Sequence, residues 1–211
     1  MEVPESLKVP NLWDVSNSSS ALRSVKDWSE RCVALSFFIF VSPVLLMIAS
    51  AVKLNSSGPI IYSQERVGLR GRRFQIYKFR TMVENAESST GPILSSTSDQ
   101  RVTTVGAILR KTHLDELLQL VNIIKGDMSF LGPRPERGVF VKKYEKEIRG
   151  YENRHLVRPG VTGLAQILLP YDATAEQKLR YDLQFIAQRG KISIKVHIIW
   201  ATAKKMAKAL I

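Results

Sequence analysis

Hydrophobic positions are concentrated in one place. Cys32 to Val52, CVALSFFIFVSPVLLMIASAV, is 21 residues without a charge. A straight helix of that length reaches roughly 30 Å, about the thickness of a bilayer core. A buried helix of a soluble core is the alternative, but in a small domain such helices are usually amphipathic. Ser42-Pro43 sits at the centre of the run. Proline lacks an amide donor and crowds the preceding turn, so a bend is expected there. Two half-helices of about ten residues each could enter and leave one leaflet. On pattern alone, spanning and re-entrant geometries both remain open.

Elsewhere the periods are short and mixed. Polar residues 1–30, including Asn17-Ser18-Ser19-Ser20, read as a lead-in. Short strands are expected at Ile60–Ser63 and Phe74–Met82, joined through turn residues Gly68 and Gly71. At period two, Lys78 and Arg80 share one side of the second strand. Residues 84–104, rich in Ser, Thr and Gly, read as a mobile loop. A helix is expected from His113 to Lys125, stopped by Gly126, with Leu114, Leu117, Leu118 and Val121 as its apolar stripe. Asp115, Gln119 and Asn122 lie opposite that stripe. Gly132-Pro133-Arg134-Pro135 breaks the pattern, a helix follows over Val139–Arg149, and residues 158–163 form a turn region. Thr174 and Gln177 form a capping box that starts a helix ending near Gln188. Ile194–Ile211 is amphipathic, with Ile194, Ile198 and Trp200 set against Lys195, Lys204, Lys205 and Lys208. Such a helix can lie in a headgroup region or dock on a core.

The chain has 211 residues and a formal charge of +12. Residues 1–57 carry five basic and five acidic side chains, so the whole excess lies in 58–211. A basic globule implies a polyanionic partner. Nucleic acid would leave the apolar run without a purpose, and few aromatics interleave the cations to stack bases. Positive charge after the run (Lys53, Arg66, Arg70, Arg72, Arg73) places its C-terminal flank in the cytoplasm. The single cysteine, Cys32, excludes an internal disulfide framework and a multi-cysteine zinc site.

Asp115-Glu116 is the strongest candidate for chemistry. One reading is structural: Thr112 caps a helix and acids favour its first turn. The other is catalytic. Lys78, Arg80, Arg110, Lys111 and Arg134 supply cations, among which a carboxylate stays ionised and can attack phosphorus. Asp182 is a candidate metal ligand. The histidines His113, His155 and His197 lack metal-ligand spacing, and no phosphate-binding glycine loop is present.

Three ordered blocks carry a resemblance: GPIIYSQERVGLRGRRFQIYKFRTM, RVTTVGAILRKTHLDELLQLVNIIKGDMSFLGPRPE and RHLVRPGVTGLAQ. Behind an apolar Ser-Pro segment they resemble the bacterial sugar transferases, the monotopic phosphoglycosyl transferases, over roughly residues 28–205. The resemblance implies an α/β, mostly helical fold. It comprises a lead-in (1–27), a re-entrant membrane helix kinked at Ser42-Pro43 (28–57) and a cytoplasmic transferase globule with short strands and interfacial helices (58–211). It implies transfer of a sugar 1-phosphate from a UDP-sugar to a polyprenyl phosphate such as undecaprenyl phosphate, releasing UMP, at the cytoplasmic face of the bacterial inner membrane. Such a step begins exopolysaccharide, capsule, O-antigen or glycoprotein glycan assembly. By the same resemblance Asp115 is the nucleophile and Glu116 its partner. Lys78, Arg80, Arg110, Arg134 and Arg158 meet phosphate, and Mg²⁺ is the cofactor, held by Glu116 and Asp182. No nucleic acid is a partner, and a homo-oligomer is compatible with the pattern. His113 stands where relatives often have Ser, and reads more simply as a cap substitution than as a group tuning the nucleophile. Ala34 replaces a frequent acid. Ile167-Leu168-Leu169-Pro170 departs from the usual continuation after Gln166, which leaves the sugar open.

Overall fold

The computed structural model describes residues 20–84, 86, 99–170 and 172–210. Most of the expected lead-in, residues 1–19, and residues 87–98 of the expected loop lie outside these. The described chain is mostly helical, with one long apolar helix near the N-terminus and two two-stranded sheets.

Helix α1 spans Ser20–Asn55 and passes through Pro43 without a break in its assignment, where two half-helices are the sequence expectation. The Ile39 carbonyl, left without an amide donor by Pro43, accepts the Ser42 hydroxyl at 2.8 Å. The Ser-Pro pair thus restores the hydrogen bond that it removes. One stripe of α1 is core: Ala34, Leu45, Ile48 and Val52 are buried, with Phe38 and Val41 packed beside them. The other face is bare. Phe40 is 80% exposed and Leu46 70%, which a soluble core helix of this composition would not tolerate. One stripe builds the globule and the rest is apolar surface.

Strands β1 (Ile61–Val67) and β2 (Arg73–Phe79) form an antiparallel hairpin, registered from Ile61↔Phe79 to Val67↔Arg73. Its tip is a 3₁₀ turn, Leu69–Gly71, with Arg70 in the left-handed region. Helix α2 (Thr104–Thr112) was not anticipated. Thr103 caps it, accepting from the Gly106 amide at 3.0 Å. A Cβ on Gly106 would sit 2.1 Å from the Thr81 carbonyl oxygen, so glycine here permits the helix to press on the chain after β2.

The expected His113–Lys125 helix is two elements: a 3₁₀ turn over Leu114–Leu118 and helix α3 over Gln119–Lys125. His113 separates them from α2 in a left-handed conformation, φ 58°. Thr112 ends α2, its hydroxyl donating back to the Ile108 carbonyl at 2.8 Å, so it is not the N-cap of the next element. His113 is a junction residue, in keeping with the cap reading.

Asn122, placed by periodicity on the polar side of α3, is fully buried. Its side-chain oxygen accepts the Tyr77 amide at 3.1 Å and its amide donates to the Gln75 carbonyl at 2.6 Å. It thereby acts as a third strand at the free edge of β2.

Strands β3 (Ser129–Leu131) and β4 (Gly160–Thr162) pair in parallel. Between them come α4 (Gly138–Glu147) and a 3₁₀ turn, Tyr151–Leu156. A Cβ on Gly160 would lie 2.0 Å from the Gly132 amide nitrogen. Glycine at these positions lets the two chains close. Helices α5 (Leu164–Leu168), α6 (Ala175–Gln188) and α7 (Ile192–Leu210) complete the fold. The Thr174–Gln177 capping box is present as expected. On α7, Ile198 is buried while Val196, Ile199 and Trp200 are exposed, and Lys204 Nζ sits 5.0 Å from the centre of the Trp200 ring. The helix docks on the core and still presents an apolar, basic outer face.

Candidate active site

Asp115 and Glu116 are successive residues of the 3₁₀ turn, where side chains diverge by about 120°. They do different things. Glu116 accepts from Lys78 Nζ at 2.6 Å and is bridged by both terminal nitrogens of Arg134, one at 3.2 Å. Asp115 is buried, and among the described residues no hydrogen bond holds its carboxylate. The left-handed turn at His113 sets where this pair is aimed. It redirects the chain between α2 and the 3₁₀ turn and delivers both acids to β2.

Burial alone would raise the Glu116 carboxyl, but Arg134 and Lys78 outweigh it and hold that group well below the usual carboxylate range. Asp115 moves the other way. Burial pushes it above the ordinary carboxylate value and Glu116 adds to this, while Lys78, Arg134 and Arg110 pull it back. Burial lowers the Lys78 ammonium, against the pull of Glu116. The result is one locked carboxylate and one free, more basic carboxylate under three cations. A free basic carboxylate is the better nucleophile, and the cations can neutralise anionic oxygens near it.

Arg134 rides on a strap, Gly132–Glu136, in which the carbonyls of residues 133–136 are all engaged. Pro133 accepts the Gly160 amide at 2.9 Å, Arg134 the Arg154 guanidinium at 2.7 Å, Pro135 the Arg66 guanidinium at 3.1 Å and Glu136 the Val67 amide at 3.0 Å. Gly132 donates to the Thr162 carbonyl at 2.9 Å. The two prolines need no amide partner, so the segment is fixed through its acceptors.

Lys78, Arg110, Asp115, Glu116 and Arg134 are therefore brought together, Arg110 with its Nε donating to Thr81 Oγ1 at 2.8 Å. Three expected site residues are elsewhere. Arg80 follows the last residue of β2 and turns to the end of α1. There it donates to the Ser56 carbonyl at 2.7 Å and hydroxyl at 2.9 Å. It caps orphan acceptors at a helix end rather than lining the dyad. Arg158 makes a two-pronged ion pair with Asp27 of α1, at 2.5 and 2.8 Å. Asp182, expected as a metal ligand, is 2% exposed and paired with Arg154 at 2.9 Å. Among the described residues no three His, Cys, Asp or Glu side chains form a metal-holding group. Asp182 is thus committed to Arg154, and of the two expected metal ligands only Glu116 lies in the site. Arg154 and Asn122 were missed. Periodicity cannot distinguish a buried polar residue from an exposed one.

Residues 21–209 match the family model described as Bacterial sugar transferase. The chain is 45% identical over 166 residues to the UDP-N-acetylgalactosamine-undecaprenyl-phosphate N-acetylgalactosaminephosphotransferase of Aeromonas hydrophila, covering 77% of this chain and 39% of that protein. It is 38% identical over 194 residues to the UDP-glucose:undecaprenyl-phosphate glucose-1-phosphate transferase of Escherichia coli (strain K12), covering 89% and 41%. It is 36% identical over 179 residues to Exopolysaccharide production protein PSS of Rhizobium leguminosarum bv. phaseoli, covering 80% and 88%. The chain thus spans about two fifths of the first two relatives and most of the third. With the family match running from the start of α1 almost to the end of α7, the chain belongs to the bacterial sugar transferase family.

Proposed function

We propose that this protein is a membrane-bound phosphoglycosyl transferase that moves a sugar 1-phosphate from a UDP-sugar to undecaprenyl phosphate. The observation that carries the chemistry is the split between its carboxylates: Glu116 is locked by Lys78 and Arg134, and among the described residues no hydrogen bond holds Asp115 beneath the same cations. Asp115 attacks the β-phosphorus of the donor. The bond from that phosphorus to the bridging oxygen breaks, and UMP leaves with the oxygen. A phosphate oxygen of the lipid then attacks the same phosphorus, displaces Asp115 and yields the polyprenyl-diphosphate sugar. Lys78, Arg110 and Arg134 neutralise charge on the phosphoryl oxygens. The printed names of the relatives share the uridine donor and undecaprenyl phosphate but differ in the sugar, so the reading stops at a UDP-sugar.

Magnesium belongs to this reading as an ion that arrives with the donor. It habitually binds one or two carboxylates together with substrate phosphates and water, and Glu116 would hold it where the incoming phosphates draw Arg134 away from that carboxylate. When bound it neutralises diphosphate oxygens. Excess chelator should stop UMP release, and undiminished turnover would remove the ion from the scheme.

The membrane placement is a shallow one at the cytoplasmic face of the inner membrane. Near one end of α1 the globule holds Asp27 through Arg158 and Glu30 through Ser129; at the other end Arg80 holds Ser56. Residues 27 and 56 are about 43 Å apart along a straight helix. A helix crossing the bilayer would free one of these ends from the globule, so the contacts favour both ends on one side.

The test is incubation of the whole protein with labelled UDP-sugar and no lipid. Label should remain on the peptide containing Asp115 and be discharged by undecaprenyl phosphate. Turnover with no adduct at any quench time would indicate direct displacement instead.

A further inference from the structure

Behind the site lies a buried cation that touches neither carboxylate of the dyad. Arg154 comes from the 3₁₀ turn Tyr151–Leu156, and its side chain is 4% exposed. It has three partners, met through its two terminal nitrogens. Asp182 on α6 lies 2.9 Å from one terminal nitrogen, the same nitrogen donates to the Arg134 carbonyl at 2.7 Å, and the other donates to the Tyr151 hydroxyl. The guanidinium also stacks over the Tyr151 ring, 5.1 Å from its centre.

A buried ion pair is a poor way to gain stability, because removing both charges from water costs about as much as their attraction returns. Apolar residues would fill the same space. What they could not supply is direction. The fork of an arginine is planar and rigid, so holding one terminal nitrogen beside Asp182 and the other on Tyr151 fixes where the first nitrogen points. The nitrogen beside Asp182 also meets the backbone of Arg134, whose own guanidinium bridges Glu116. The three other strap bonds hold the flanking carbonyls; only this one acts at Arg134 itself.

We propose that Arg154 is a positioning residue for phosphosugar transfer. Clamped by Asp182 and Tyr151, it pins the Arg134 backbone so that the Arg134 guanidinium meets Glu116 and the incoming phosphates. An incoming diphosphate competes with Glu116 for Arg134. With its backbone pinned, Arg134 can respond by rotating its side chain while the strap stays in place. This inference rests on the transferase reading above.

The experiment is a double-mutant cycle on the full chain in detergent. It uses undecaprenyl phosphate and a panel of UDP-glucose, UDP-galactose and their N-acetyl counterparts, scored by UMP release. Arg154→Met and Arg134→Ala are measured singly and together, with thermal midpoints alongside. If Arg154 acts through Arg134, Arg154→Met lowers kcat at least about tenfold, and the double variant falls within about threefold of Arg134→Ala alone, because coupled residues are not additive. Losses that multiply would overturn the inference, since a merely structural role lowers activity whatever stands at 134. So would a loss below about threefold in Arg154→Met. If Arg154→Met fails to fold, Tyr151→Phe decides by the same cycle, because it removes one hydroxyl and keeps the packing. Wild-type protein that releases UMP from none of the donors overturns the transferase reading itself, and with it this inference.

Discussion

Lys78 donates to Glu116 at 2.6 Å, across a gap that joins the end of the β1–β2 hairpin to the 3₁₀ turn carrying both acids. The pair is mostly buried, with side chains 18% and 11% exposed. It is therefore a fixture of the fold as well as of the site. Removing one partner strands the other charge, which costs about 3–5 kcal/mol for a buried pair. Glu116→Gln should lower the thermal midpoint and also turn Lys78 and Arg134 onto Asp115, giving that carboxyl a lower pKa and a weaker attack. Slower labelling of Asp115 in a quenched time course checks this. Labelling at the parental rate would show that Glu116 does not govern its neighbour.

Arg80 and Lys78 separate binding from architecture. Arg80→Met removes the donors at the end of α1 and should lower the thermal midpoint while leaving KM for the UDP-sugar within about twofold. Lys78→Met should change donor kinetics strongly. Equal donor effects from the two substitutions would return Arg80 to the phosphate site.

Ser42 and Pro43 should respond asymmetrically. Ser42→Ala leaves the Ile39 carbonyl without its hydroxyl partner, at a cost of about 1 kcal/mol, and keeps the bend-promoting ring. Pro43→Leu restores a backbone donor and removes the ring clash, so a straighter helix that crosses the membrane becomes accessible. A cysteine at position 20, in a Cys32→Ser background, should be shielded from impermeant maleimide outside intact cells in the parent and become reactive in Pro43→Leu. Outside labelling of the parent would overturn the shallow placement.

Asp182 and His155 give opposite pH slopes. Burial pushes the Asp182 carboxyl up from 3.8 to about 6, with Arg154 pulling against it. Burial, aided by Arg154, pushes His155 down from 6.5 to about 4. Between pH 3.8 and 6 the folded state holds more protons at Asp182, so that contribution to stability falls as pH rises. Between pH 4 and 6.5 the unfolded state holds more at His155, so that contribution rises with pH. Each amounts to about 3 kcal/mol across its window, and in the parent they largely cancel. Relative to the parent, Asp182→Asn should gain stability as pH rises through this range, and His155→Phe should lose it. Variant and parent curves that run parallel would show that neither group is shifted.

How much of this was legible in advance depended on range. The free and locked acids, Lys78 and Arg134 stood out because charge was set beside turn residues in short motifs. Arg80 was misplaced for a local reason. Period two holds only while a strand lasts, and β2 ends at Phe79, one residue too soon. Arg158 was misplaced for a global one. Its partner, Asp27, lies 131 residues away, and no local pattern encodes that pairing. Helix α2 was hidden by Gly106, which weakens a helix on propensity but here allows close approach to Thr81. Asn122 is placed by its period only opposite the apolar stripe, and an amide that completes a sheet edge has the same period as one that faces water.

The two faces of α1 set a practical limit on the molecule. Val52, Ile48 and Leu45 are packing partners of Phe79, Leu109 and Leu118, so the anchor cannot be clipped off to leave a water-soluble catalyst. The lost surface would open the interior that supports Lys78 and the acids. On the proposed function, lipid attachment and catalysis draw on the same turns of one helix, and purification in active form should require an amphiphile on the side that the protein leaves uncovered.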